Sequence, residues 1–132
     1  MSRKQGLEQR TLQERLNRQE SDFEKKRFIT VLWDKMATVS NISRDEPIEA
    51  DVRYAVNTLE LVSLCWQAGI VDKRMVILSF GRLFDSLYIQ IEQISERLPG
   101  CGKTGHELLT QNPAISAVRR QIRERLEQQG EI

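Results

Sequence analysis

Residues 51–69 read DVRYAVNTLELVSLCWQAG, and this stretch decides the fold class. Val52, Ala55, Val56, Leu59, Val62 and Trp66 recur at i, i+3, i+4 and i+7, which sets them on one face of an α-helix. Tyr54, Leu61, Leu64, Cys65 and Ala68 widen that face until only Arg53, Asn57, Glu60 and Gln67 remain as a thin polar strip. A helix that is apolar nearly all round belongs inside a protein. The spacing therefore predicts a central helix with the other helices packed around it.

Working outward, Pro47 suits the first turn of this helix, with Asp45 or Glu46 as its acidic start. Gly69 supplies the left-handed cap at the other end. The link Gly69-Ile70-Val71 is short, so the next helix should fold back as a helical hairpin, with Asp72 as its N-cap. Met75, Val76, Leu78, Phe80, Leu83, Phe84, Leu87, Tyr88, Ile91 and Ile94 give that helix a wide apolar face through to Leu98, where Pro99-Gly100 stops it. Gly81 lies mid-helix at a cost of about 1 kcal/mol against Ala, and is expected to permit a close helix crossing. A loop over 99–105 leads to a short helix over 104–111. Asn112-Pro113 opens the last helix, whose stripe is Ile115, Val118, Ile122 and Leu126.

Upstream, 5–39 reads as one long helix followed by a loop over 40–46. Its apolar positions are Leu7, Leu12, Leu16, Phe23, Phe28, Val31, Leu32, Met36 and Val39. Before Phe28 they are sparse, as in a coiled-coil seam, which needs only two apolar residues in seven. The plain alternative there is a solvated helix or arm. From Phe28 on, Val31, Leu32 and Met36, with Trp33 beside them, should pack on the central helix. Residues 1–27 are thus a polar N-terminal helix or arm, and 28–132 a helical bundle domain. The expected fold is all-α, a small bundle of four to five helices around a central helical hairpin, with a long N-terminal helix.

The 132 residues suffice for one core of ordinary size. Twenty basic and 19 acidic residues give a net charge of +1, which makes no electrostatic case for nucleic acid binding by the whole chain. The N-terminus MSRKQGLEQR has no apolar segment of the secretory kind, and no apolar run approaches the ~20 residues that span a bilayer. Two cysteines, Cys65 and Cys101, make no disulfide framework and fit a reducing cytosol.

Several strings carry possible chemistry. Gly102-Lys103-Thr104 matches the end of a phosphate-binding loop, where backbone N–H groups cradle phosphates. The pattern also needs Gly five residues before Gly102, where Arg97 stands, and a preceding strand. An inter-helix loop with Thr104-x-x-Glu107 as a capping box explains the same residues. An anion could still sit there with Lys103, Thr104 and His106 around it. One His and two Cys are too few for a zinc site, so no metal or other cofactor is expected. Arg119, Arg120, Arg123 and Arg125 on the last helix could touch phosphates. They equally form i, i+4 ion pairs such as Arg120 with Glu124 and Arg123 with Glu127. The strip Arg53, Asn57 and Glu60 either faces solvent or holds Glu60 partly buried against Arg82 or Arg53, since a buried carboxylate needs a partner. No acid–base or nucleophile constellation is complete, so no catalytic residue is assigned.

The stretch 55–91 is similar to a bacterial and phage family known as domain of unknown function 4760. The Asn57-Thr-Leu-Glu60-Leu-Val run, the Ala68-Gly69-Ile70-Val71-Asp72 link and the Phe80-Gly81 helix carry the resemblance, which covers about residues 28–95. The resemblance implies a helical unit, no catalytic residue, and a phage or mobile-element setting. Many members look membrane-anchored through an N-terminal spanning helix, and this chain has a polar helix there instead. It also has Leu87-Tyr88 where a Trp after a Tyr is common. The sequence reading is a non-enzymatic cytoplasmic protein that binds another protein and self-associates as a homodimer or larger oligomer through Leu12, Leu16, Phe23 and Phe28. The alternative is a nucleotide or nucleic-acid binding module using the GKT loop and the C-terminal Arg face.

Overall fold

The computed structural model describes residues 3–39 and 41–130, with side chains described from residue 11 onward except at 17 and 19–22. It is all-helical, and no strand occurs among the described residues. The elements are α1 (Arg3–Thr38), α2 (Glu49–Ala68), α3 (Lys73–Val76), a π-helical turn (Ile77–Gly81), α4 (Arg82–Glu92), α5 (Gly105–Thr110) and α6 (Pro113–Gln128). No described helix is long and apolar enough to cross a membrane. The side chain of Leu7 and residue 40, placed above in a stripe and a loop, lie outside what is described.

Helix α2 packs against α1, α4, α5 and α6. Val52, Ala55, Val56, Leu59, Val62, Cys65 and Trp66 are all buried. Burying a Val or Leu side chain of this kind contributes roughly 1.5–3 kcal/mol. The opposite side is not sealed as expected, because Tyr54 and Leu64 are exposed and Leu61 is only half-buried. The two small polar residues on the inner face, Thr58 and Ser63, satisfy themselves locally. Their hydroxyls donate to the carbonyls of Tyr54 and Leu59 at 2.8 and 2.7 Å.

The ends of α2 follow different rules. Gly69 adopts φ 71°, and the Ile70 N–H closes on the Cys65 carbonyl at 3.2 Å, giving the expected left-handed cap. At the start, Ile48 is the cap and makes no side-chain bond, so the helix begins beyond Asp45, Glu46 and Pro47. Asp72 caps α3 as expected, accepting from the Met75 N–H at 3.1 Å.

The second half of the hairpin departs from the sequence reading. A π-turn with non-helical angles at Phe80 splits it, so one expected helix becomes α3 and α4. Leu78, assigned above to the apolar face, is exposed. The helix stops at Glu92, and Ile94 and Leu98 are buried from the following loop. Gly81 packs on α6, but a Cβ there would stand 3.6 Å from Leu126 and 3.7 Å from Ile122, which is ordinary contact. The glycine that the packing needs is Gly105. Its N–H donates to the Ile94 carbonyl at 3.0 Å, and a Cβ would overlap the Ile91 carbonyl.

Helix α1 enters the core through Ile29, Leu32 and Met36, and Val39 is buried just past its end. Ile29 takes the place expected for Val31, and Val31 and Trp33 are exposed. Helix α6 closes the core with Ile115, Val118, Ile122 and Leu126, all fully buried or nearly so. Asn112 does not cap it by side chain; its amide donates instead to the Leu108 carbonyl at 2.8 Å.

Candidate functional site

Two surface features stand apart from the core. The first is a stripe on α1. Leu12, Leu16 and Phe23 are 59%, 51% and 68% exposed. At about 100° per residue they fall within an arc of about 40°, on the side of the helix away from Ile29, Leu32 and Met36. Phe28 is half-buried against the core, so it belongs to the edge of the domain and not to this stripe.

The second feature joins α4 and α6. Asp85 is the one buried acid among the described residues, at 9% exposure. Its carboxylate accepts from Arg119 Nε at 2.8 Å and from an Arg123 terminal nitrogen at 3.3 Å. Arg119 also stacks on Tyr88, 4.6 Å from the ring centre, and the Tyr88 and Ser116 hydroxyls lie 3.2 Å apart. Arg123 reaches Glu127 at 3.7 Å, the ion pair its spacing implied. No Arg120–Glu124 pair forms; both line a surface cavity of about 310 Å³ with Tyr88, Ser116, Arg119, Arg123 and Glu127. The cluster balances its charges internally: Asp85, Glu124 and Glu127 stand against Arg119, Arg120 and Arg123. That leaves little net field for an anion.

Asp85 is the residue that sequence reasoning missed. The rule that a buried carboxylate needs a partner was applied to Glu60. Glu60 is half-buried, no ion pair reaches it among the described residues, and Arg53 lies 3.9 Å from Glu49 instead. Arg53 and Asn57 face solvent. The available signal was Asp85 itself, a lone acid directly after Leu83-Phe84 and before Leu87 on the face that had to be buried.

The loop 98–104 is tied down. The Leu98 N–H donates to the Lys103 carbonyl at 2.9 Å, and the Gly102 N–H to the Leu98 carbonyl at 2.7 Å. Arg97 donates to the Gly102 carbonyl at 2.9 Å and pairs with Glu107 at 3.1 Å. The Gly100 N–H donates to a Glu49 carboxylate oxygen at 2.6 Å. Of the loop amides, those of Leu98, Gly100 and Gly102 thus already hold internal acceptors, one of them an anion. Lys103 donates to Gln111 at 2.8 Å. Thr104 caps α5 by accepting from the Glu107 N–H at 3.2 Å, but Glu107 turns to Arg97 rather than completing a capping box. His106 is exposed, and its carbonyl accepts from the Thr110 hydroxyl. Lys103, Thr104 and His106 take no part in the cavity lined by the three arginines.

Buried Trp66 has its own polar setting. Its indole N–H donates to Gln121 at 2.6 Å, and Lys73 and Arg125 lie 5.4 and 5.3 Å from its ring centre. Burial pushes the neighbouring Cys65 thiol up from its ordinary value. No family model, no curated protein and no solved structure matches the chain.

Proposed function

We propose that this protein does no chemistry of its own and works as a homo-oligomeric interaction or regulatory module, with a long α1 as its self-association arm. The observation that carries this reading is the outer stripe of Leu12, Leu16 and Phe23. Three large apolar residues on one side of a helix, turned from the core, lose the benefit of burial unless a partner covers them. Their 4-and-7 spacing is that of a coiled-coil seam. The outer face of α6, with Arg120 and Glu124 exposed, offers a second protein-contact surface. A cytosolic, phage or mobile-element setting, and kinship with the domain of unknown function 4760 family, belong to the same proposal. They rest on the cysteine usage and on the residues of 55–91 quoted above.

The test is the double variant Leu16→Asp with Phe23→Asp, measured by light scattering. The mass should fall from that of an oligomer to that of a single chain. An equal mass for the variant and the parent ends the proposal. The nucleotide or nucleic-acid reading has the bonded Gly100 and Gly102 amides and the internally balanced charges around Arg119, Arg120 and Arg123 against it. A panel of nucleotides and oligonucleotides should leave the melting temperature unchanged, because a ligand of the folded state must raise it.

A further inference from the structure

The seam does not stop at Phe23. With Leu12 at heptad position d, Leu16 and Phe23 fall at a, and Trp33 falls at d three heptads on. Trp33 is 47% exposed. On a straight helix such a residue lags the stripe by about 20° per heptad, a drift that a left-handed supercoil removes. We propose that α1 pairs with α1 of a second copy as a parallel, in-register two-stranded coiled coil running from Leu12 to Trp33. This rests on the self-association proposed above and adds its orientation, its register and Trp33.

The orientation follows from matching layers. In a parallel in-register pair each a or d residue meets its own copy. Leu12, Leu16, Phe23 and Trp33 then form four apolar layers. In an antiparallel pair a meets d of the partner. No antiparallel register aligns more than two apolar layers: Leu12 can face Phe23 or Leu16, and Trp33 can face Leu16 or Phe23, but not all at once. A fully buried apolar side chain is worth roughly 1.5–3 kcal/mol, so two extra layers outweigh anything the flanks contribute.

The flanks agree in sign. By sequence position alone, Arg15 and Asp22 stand at g, and Glu20 and Arg27 at e. A g residue meets the partner's e residue five places on. Arg15 therefore meets an acid and Asp22 meets a base, at a few tenths of a kcal/mol each. Lys26 falls at d and brings like charges into one layer. Its stem is long enough to carry the ammonium outward.

The experiment uses the full chain with Cys101→Ser, leaving Cys65 buried, and adds either Leu12→Cys or Trp33→Cys. Each single variant should give disulfide-linked dimers under mild oxidation, because each position lies beside its own copy. Trp33→Ala in the parent chain should raise the dimer dissociation constant at least tenfold without lowering the melting temperature of the dilute chain. Suppose the parent is a dimer, yet only a mixture of Leu12→Cys with Phe23→Cys cross-links. The helices are then antiparallel, and the inference falls while the self-association stands. A dimer with no cross-link at either position also overturns the seam. A monomeric parent overturns the inference and the reading beneath it together.

Discussion

Helix α1 carries two apolar stripes, and they differ in almost everything but composition. Ile29, Leu32 and Met36 repeat at spacings of three and four and are sealed under α2 and the hairpin. Leu12, Leu16 and Phe23 repeat at four and seven and lie on the other side of the helix, in water. The same residue types thus serve packing in one half and are available for contact in the other. A side chain's environment, set by what faces it, decides its role. The helix itself does not.

The sharpest way to break this contrast is to cut the same side chain from each stripe. Leu32→Ala leaves a cavity in the core and should cost about 3–4 kcal/mol in urea unfolding. Leu16→Ala should change the unfolding free energy of the dilute chain by less than about 0.5 kcal/mol. Similar losses at both sites would mean that the outer stripe is buried after all. Next in size is Gly105→Ala. Its methyl would run into the Ile91 backbone and should cost about 3 kcal/mol, the upper end for overpacking. Asp85→Ala asks whether the polar cluster sides with the core. It strips Arg119 of its carboxylate, leaves Arg123 only the longer pair with Glu127, and should cost about 2 kcal/mol, read from the urea midpoint.

Cys65 gives a smaller effect with a definite sign. Its folded thiol holds its proton more tightly than the unfolded one, whose ordinary value is 9.0. Above that pH the unfolded chain releases a proton that the folded chain keeps. The stability present below pH 9 is therefore lost as pH rises, by at most about 1.4 kcal/mol per pH unit. Melting curves of the parent and Cys65→Ala from pH 8 to 10 should diverge accordingly. The smallest effect is Gly81→Ala, which should be neutral or stabilising by up to about 1 kcal/mol, since the methyl finds ordinary contacts. A clear loss there would restore Gly81 as a needed glycine beside Gly105.

Much of the helical plan was legible along the chain. Gly69, Asp72 and Thr104 stand at the caps they were expected to form, and the inner faces of α2 and α6 hold the residues their spacing picked out. The candidate site was legible only in part. Arg119 and Arg123 were singled out, but for phosphate, whereas their acceptor is Asp85 on another helix. The outer stripe was legible as spacing. Its direction relative to the core required knowing that Ile29, not Val31, faces inward.

By itself the sequence determined the helical class, the caps at Gly69, Asp72 and Thr104, and the inner faces of α2 and α6. Those depend on interactions within about one turn, repeated every 3.6 residues. Tertiary structure alone decided that Asp85 and not Glu60 is the carboxylate that must be paired. It also decided that a π-turn interrupts the hairpin, that Ile94 and Leu98 are buried without being helical, and that Gly105 has no room for a Cβ. The pairing of Asp85 and the need for Gly105 depend on neighbours distant in the chain or across a turn, Arg119 for the first and the Ile91 carbonyl for the second. Periodicity records which way a residue points along its own helix, and only packing records what it meets there.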